Sequence, residues 1–466
     1  MAVAFETPDH SGERRERYAR GKALRKATPR EAHADFAAPE RDCVAILAAQ
    51  DAHRIAALLP LRYERMTESP FAFLRGAAAV MAVDLAGAPM AGAKTQACGD
   101  CHLMNFGAFA SPENNILFDI NDFDETAPGV DFTVDLKRLC ASAAVAAQAV
   151  GLSDKRARLA AKIVANAYRR HMLDLALLSP LEIWRSRIDL PQQIASFSDP
   201  RLSQRLRNLL MRADRSDGDD NFAHLVTVTA QGARIADRDK LVFHLDPGDA
   251  AGPNLDAAKA FDGYLATLPP ERALLLARYR LADFAFKVVG VGSVGTFCAI
   301  GLFTTADNEP LFLQIKEAQA SVLAPLAAPT PPEQGRRVVE GQQILQAASD
   351  VFLGWSSDAS RHFYVRHLKN RSLGAISDLL EGEALFPYAR LCGRTLARAH
   401  ARSSDPAVLA GYMGKSELFD DSLASFAMKY AAQTTKDHAA LAAAKGVKAP
   451  AKKAGRKDKR PEKRAS

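Results

Sequence analysis

Asp100 and Asn105 stand five residues apart in the run Gln96-Ala-Cys-Gly-Asp-Cys-His-Leu-Met-Asn105. A carboxylate that takes the proton of an attacking hydroxyl and a carboxamide that holds a metal need such a short separation, because both act on one phosphoryl group. His102, between them, is a further candidate for contact with acceptor or phosphate. About fourteen residues after Asn105 comes a second acidic run, Asn115-Ile-Leu-Phe-Asp-Ile-Asn-Asp-Phe-Asp-Glu125. Asp119, Asp122 and Asp124 are available there to bind Mg²⁺, whose hard charge prefers oxygen ligands. Spacing from Asn105 favours Asp119 as the main ligand, and the Asp-Phe-Asp pattern favours Asp122; the sequence leaves both open. Carboxylates this close together, beside apolar strand residues, repel one another unless a cation lies among them.

A second constellation lies nearly two hundred residues downstream. Gly290, Gly292 and Gly295, with Ser293 between them, form G-x-G-x-x-G. In a dinucleotide-binding unit the third glycine opens a helix. Here Thr296 to Phe303 is β-branched and aromatic and reads as a strand. Strand–loop–strand is the geometry in which a glycine-rich loop folds over nucleotide phosphates and offers them N–H donors. The next strand, Leu311-Phe-Leu-Gln-Ile-Lys316, ends in a lysine placed to neutralise phosphate charge. Glu340, on the following helix, is the candidate carboxylate to orient Lys316. ATP, or another nucleoside triphosphate, and Mg²⁺ are the expected cofactors.

Cys98-Gly-Asp-Cys-His102 also spells C-x-x-C-H, the pattern of c-type haem attachment, of half a zinc site or of a redox pair. Haem attachment needs an export route, and the N-terminal MAVAFETPDHSGERRERYARGKALRK carries no apolar run with a cleavage site. A zinc site needs a second ligand pair, and none stands out.

The elements that must position these residues read as α+β. Residues 1–40 form a charged arm. Residues 41–200 form a larger lobe, helical to about 90 with breaks at Pro60 and Pro70, strand–loop–strand over 94–122, and helical from Val134 to about Leu178. Residues 201–265 read as an insertion or linker, with a turn at Ser216-Asp-Gly-Asp-Asp220. Residues 266–372 form a β-rich lobe with a helix from about Glu333 to Phe352, and 373–432 return as helices. The chain has 466 residues, 48% hydrophobic and 25% charged, enough for a two-lobed protein with a sizeable core. No apolar run is long enough to span a membrane. The expected location is the cytoplasm, where the six cysteines would be free thiols. Between Lys445 and Arg464 ten Lys or Arg stand against Asp458 and Glu462, so this tail supplies +8 of a net +7 and the rest of the chain sums to −1. Residues 433–466 read as a disordered basic tail, either solubilising or in weak contact with a polyanion.

The runs Leu61-Arg-Tyr-Glu-Arg-Met-Thr-Glu-Ser-Pro-Phe-Ala-Phe-Leu-Arg-Gly76, Gly99-Asp-Cys-His-Leu-Met-Asn-Phe-Gly107, Phe118-Asp-Ile-Asn-Asp-Phe-Asp-Glu-Thr126 and Asp135-Leu-Lys-Arg-Leu139 resemble the bacterial family catalogued as domain of unknown function 2252. Arg337-Val-Val-Glu-Gly-Gln342 and Tyr364-Val-Arg-His-Leu368 resemble it too, and the likeness covers roughly residues 20–430. That family is grouped on fold similarity with kinase-like proteins and usually has Ala at the position of Cys101, which weakens the C-x-x-C-H reading. The same residues are similar to aminoglycoside and choline phosphotransferases, in which H-G-D-x-H-x-x-N carries the catalytic Asp. The match holds at Gly99, Asp100, His102 and Asn105, with Cys98 where the first His would stand. Asp135-Leu136 sits in the place of their D-L-A-like element, and Asp135 is read here as a structural helix cap.

In those enzymes the glycine loop comes first. Here it follows the catalytic loop, and the helix Tyr388 to His400, which resembles the one leading into the catalytic segment, lies near the C-terminus. The resemblance therefore implies a circularly permuted, two-lobed protein-kinase-like fold, with residues 388–401 beside residues 95–105. The implied function is Mg-ATP-dependent transfer to a hydroxyl or amine. The rivals are a catalytically silent nucleotide- or partner-binding protein, a nucleotidyltransferase on the same fold, and a polyanion-binding module using the tail.

Overall fold

The computed structural model describes residues 9–195, 200, 203–204, 206–208, 210, 226–229, 232–238, 241–244, 257–288, 290–358, 361–368 and 382–447. The expected turn at 216–220 and the tail from 448 lie outside the described residues.

Helix α1 (Arg14–Leu24) is followed by α2 (Cys43–Asp51), α3 (Leu59–Thr67), α4 (Pro70–Gly76) and α5 (Ala78–Leu85). Pro60 and Pro70 fall in the first turns of α3 and α4, where the missing N–H costs nothing. The charged arm is docked on the body over residues 14–34. Gly21 lies against the Val408 carbonyl, and Arg25 and Arg30 donate to the carbonyls of Tyr412 (2.7 Å) and Met413 (2.9 Å). Arginines that complete a helix C-terminus fix the arm to the body.

Next come β1 (Lys94–Ala97), β2 (Phe106–Ala110), β3 (Ile116–Ile120) and β4 (Ala127–Asp131); β1 pairs with β4 and β2 with β3, both antiparallel. The periodic stretch after Val134 is two helices, α6 (Thr133–Ala149) and α7 (Asp154–Leu175), broken at Gly151 with φ +82°. The first fourteen residues of α6 and Ala147 are all buried, as befits a helix apolar on most sides, and its alanines let neighbours approach closely. Short helices α8 (Pro180–Arg185) and α9 (Leu190–Ala195) follow.

Within the expected insertion, β5 (Val226–Thr229) and β6 (Gly232–Ile235) form a hairpin, and β7 (Val242–Phe243) and α10 (Ala257–Leu265) lead to α11 (Pro270–Leu276). The main sheet adds β8 (Arg280–Lys287), β9 (Cys298–Thr304), β10 (Pro310–Glu317), β11 (Gly354–Asp358) and β12 (Arg361–His367), in the order β11-β12-β10-β9-β8-β7, with antiparallel neighbours throughout. Strand alternation divides its side chains. Leu311, Leu313, Phe303 and Val365 pack with Tyr264 and Leu276 on one face. Phe312, Ile300, Leu302 and Leu368 lie on the other, with Ile235 and Val242. The register places Lys316 opposite Cys298 on one side and Tyr364 on the other, and Gln314 opposite Arg366. These polar residues therefore share the face of Phe312.

Helix α12 (Gln334–Leu345) links the sheet to the acidic segment and is shorter than expected. Its Gly335 lies close to the Phe363 carbonyl and its Gly341 against Thr126. The chain closes with α13 (Leu385–Ala401), α14 (Pro406–Met413) and α15 (Leu418–Ala444). The boundary at 433 is corrected, because α15 continues to Ala444, burying Thr434, Asp437, His438 and Leu441 on its inner side. The bidentate pairing of Arg41 with Asp437 holds that last stretch.

Residues 388–401 do pack beside 95–105. The Tyr388 hydroxyl donates to the carbonyls of Leu103 (2.7 Å) and Phe106 (3.1 Å). Just past the helix, Ser403 Oγ accepts the Gln96 N–H at 3.0 Å.

Candidate functional site

The Cys98–Asn105 loop is held from beneath by Asp135, in the first turn of α6. Its carboxylate accepts the N–H groups of Cys98 (2.7 Å) and Gly99 (3.1 Å), and His400 Nε2 lies 3.2 Å away. His400 is itself fixed through Nδ1 by the Tyr168 hydroxyl at 2.9 Å. Asp135 is thus structural, but the helix-cap reading is corrected: it ties down the Cys98–Gly99 loop, and the N-cap position of α6 is Phe132. Gly99 has φ +96°, and a Cβ there would run into the Glu125 carbonyl, so the loop's approach to the acidic segment needs glycine.

Cys98, Cys101 and Asp135 place one ligand atom each within 4.8 Å of one another. The Asp135 oxygens are already taken by two N–H groups and His400. Burial pushes the Cys101 thiol up to about 11. All six cysteines are free and buried. His102 does not join this cluster.

Asp100, five residues from Asn105, is paired with the Arg138 guanidinium, whose Nε donates at 2.6 Å. Arg138 also donates to the Leu74 carbonyl at 2.9 Å. Burial raises the Asp100 pKa above its ordinary value, against the pull of Arg138 and Arg75. His102 Nε2 lies 3.5 Å from Asp100 Oδ2. Burial, with Arg138 and Arg75 nearby, holds the His102 pKa well below its ordinary value, so the imidazole is a neutral neighbour of Asp100. Asn105 Nδ2 donates to the Asp100 carbonyl at 2.5 Å, which leaves Oδ1 as its acceptor atom.

The three carboxylates of the second run have separate fates. Asp119 is turned into the body, where it pairs with buried Arg398 of α13 and accepts the Ala347 N–H at 2.9 Å. The expectation that it binds metal is corrected for this reason: it lies inside β3, and its side of the strand faces α13. Asp122, beyond the strand end, accepts the Asp124 N–H at 3.1 Å. Burial, and then the Asp124 charge, raise its pKa, against Lys316 and Arg366. Asp124 receives Lys316 Nζ at 2.5 Å, the Tyr364 hydroxyl at 2.5 Å and Ser293 Oγ at 3.4 Å. Burial opposes its charge, but Lys316 and these hydrogen bonds win, and its pKa is lowered. Phe123 between them is buried and anchors the turn.

Lys316 therefore takes its carboxylate from Asp124. Glu340, the expected partner, pairs with Arg336 at 2.7 Å one helical turn earlier. It lines a cavity of about 1110 Å³ that Arg402 and Ser403 also border. The inner face of α12 presents Arg337 instead, which donates to the carbonyls of Thr126 (2.5 Å), Asp124 (2.9 Å) and Gln319 (2.7 Å). Arg366, beside Lys316, donates to Gln314 Oε1 (2.9 Å) and the Asn121 carbonyl (3.2 Å).

The glycine loop joins β8 to β9, as the strand–loop–strand reading requires. Gly290 and Gly295 have φ of +69° and +89°. Its carbonyls are drawn outward: Gly290 accepts from Arg65 (2.5 Å), Val294 from Arg54 (2.6 Å) and Gly295 from the Ile55 N–H (2.7 Å). The N–H groups of Val291, Gly292 and Ser293 make no hydrogen bond among the described residues. Unpaired successive N–H groups form a concavity suited to an anion.

Sequence reasoning missed Arg138, Tyr364, Arg54 and Arg65. Arg138 carried a signal: it lies three residues after Asp135, on the same helical face. Tyr364 follows from strand pairing with Lys316, which spacing does not disclose. Nothing in the spacing marks Arg54 and Arg65.

A helical body, an antiparallel sheet, and a charged junction where an acidic loop, a lysine-bearing strand and a glycine loop meet define this α+β class of protein. The chain belongs to the family described as an uncharacterized protein conserved in bacteria (DUF2252), whose model matches residues 54–444. Neither the curated proteins nor the solved structures gave a match. No helix among the described residues is long and apolar enough to cross a membrane.

Proposed function

We propose that this chain is a Mg²⁺- and ATP-dependent phosphotransferase on a circularly permuted kinase-like fold, acting on a hydroxyl or amine of a small molecule or protein. The observation that carries the reading is the meeting at Asp124. Lys316 from the sheet, Tyr364 from the next strand and Ser293 from the glycine loop converge on one carboxylate of the acidic run. The contact of Tyr388 with the catalytic loop supports the permuted arrangement.

The residues fit the cofactors. Unpaired N–H groups at Val291 to Ser293 and the Lys316 ammonium suit phosphate oxygens. Asp122 makes one side-chain contact to a backbone N–H, and Asn121 Oδ1 is buried without a hydrogen-bond donor. With Asn105 Oδ1 these are oxygen acceptors of the kind Mg²⁺ takes. Bound Mg-ATP supplies the transferable phosphoryl group and its charge neutralisation. Lys316 holds phosphate oxygens, the loop covers them, and Asp122 and Asn105 hold the cation.

Asp100 orients the acceptor. The acceptor oxygen forms a bond to phosphorus as the phosphorus–bridging-oxygen bond breaks. The nucleoside diphosphate leaves with that electron pair, and the acceptor proton passes to Asp100. Burial raises the Asp100 pKa and Arg138 offsets part of that rise; a modest base suffices because positioning and electrostatics dominate such transfers.

The test is ATP turnover with Mg²⁺ by wild type and Asp100→Ala. Turnover that Asp100→Ala reduces at least a hundredfold supports the reading. ATP binding without turnover, whatever the acceptor, leaves a nucleotide-binding protein instead.

A further inference from the structure

Most cations at the junction are already engaged. Lys316 holds Asp124, Arg138 holds Asp100, Arg366 holds Gln314 and the Asn121 carbonyl, and Arg54 and Arg65 hold loop carbonyls. Arg75 is different. It lies in the last turn of α4, half-buried, and its side chain has no hydrogen bond or ion pair among the described residues; its Nε is buried without an acceptor. A buried guanidinium nitrogen left unpaired costs free energy unless a ligand completes it.

Two neighbours place Arg75. Its own carbonyl stands 3.1 Å from where a Cβ on Gly292 would be, so it abuts the unpaired stretch of the glycine loop. Its charge acts on Asp100, and the preceding residue, Leu74, receives the same Arg138 that holds Asp100. Lys287 is also without a side-chain partner among the described residues, but its neighbours are the Cys298 thiol and the Arg366 guanidinium, on the sheet side. Glu68 and Arg65 are the other charged groups near Arg75.

We infer that Arg75 is a catalytic arginine supplied in cis, whose guanidinium grips the terminal phosphoryl group between the glycine loop and Asp100. This rests on the phosphotransfer reading above. The residue breaks and forms no bond. It donates hydrogen bonds to the peripheral phosphoryl oxygens, where charge gathers as the bridging bond lengthens, and a planar fork suits two such oxygens better than an ammonium does.

The experiment titrates full-length wild type, Arg75→Ala and Arg75→Lys with Mg²⁺ and either ADP or an imido-bridged, non-hydrolysable ATP analogue, with a thermal melt of each. The expected result is a loss in Arg75→Ala on the order of tenfold for the triphosphate and less than twofold for ADP, partly restored in Arg75→Lys, with unchanged melting. Equal losses for both nucleotides, no loss for either, or a melt lowered by more than about 5 °C in both variants would overturn it. Wild type that binds neither nucleotide ends the phosphotransfer reading itself, and this inference with it; intact wild-type binding with no triphosphate-specific loss ends this inference alone.

Discussion

Lys316 Nζ sits 2.5 Å from Asp124 Oδ2, joining a strand and a loop 192 residues apart in the chain. The lysine is almost wholly buried, with 4% of its side chain exposed, while the aspartate retains 26%. A charge in that position must be matched, because an uncompensated buried ammonium is costly. Asp124→Asn should therefore destabilise the fold by about 2 kcal/mol, less than a fully buried pair because solvent reaches the carboxylate. Urea denaturation measures this. Lys316→Met should weaken nucleotide binding by at least about tenfold.

Asp119 and Asp122 separate structure from chemistry. Asp119 and Arg398 are each about 1% exposed and hold α13 to β3. Asp119→Ala should cost about 3–5 kcal/mol, since it strands Arg398 in the interior. Asp122→Asn should leave the melting temperature unchanged or raise it slightly, because its charge is repelled by Asp124, and should abolish Mg²⁺-dependent nucleotide binding. A pair of denaturation curves and a Mg²⁺ titration distinguish the two. The opposite pattern would return the metal to Asp119.

Glu125 gives a pH signature. Burial pushes its carboxyl from the ordinary 4.5 up to about 7, despite the Val322 N–H that it accepts at 2.7 Å. Between those values the unfolded chain has lost the proton and the folded chain still holds it. Stability should therefore fall as pH rises from about 4.5 to 7, and this group contributes no slope outside that window. Allowing for its partial exposure, the change is about 1–2 kcal/mol. Glu125→Gln should remove that part of the slope in melts run from pH 4.5 to 8.

The N-terminal helix should prove integral to the fold. A Cβ on Gly21 would strike the Val408 carbonyl, a backbone atom that cannot turn aside. Gly21→Ala should cost about 3 kcal/mol and lower the melting temperature by several degrees. Melting equal to wild type would show that α1 docks loosely.

Much of the fold was legible because its signals are local. Alternation over Leu311–Lys316, the glycines before Thr296 and the period of 385–402 each act within a few residues, and β10, the glycine loop and α13 follow them. The site was legible to the level of segments. What the sequence withheld were choices between neighbouring side chains. Whether Asp119 or Asp122 faces the junction depends on where β3 ends, and whether Glu340 or Asp124 meets Lys316 depends on how α12 is rotated against the sheet. The charged character of residues 1–40 did not disclose how the arm docks, because that rests on Arg25 and Arg30 reaching helix-end carbonyls far along the chain.

The most direct measurement is a crystal structure of the full chain with Mg²⁺ and a non-hydrolysable ATP analogue. The account predicts the triphosphate between Val291–Ser293 and Lys316, with the cation on Asp122. A nucleotide seated elsewhere, for instance in the cavity bordered by Glu340 and Arg402 beyond α12, would contradict it.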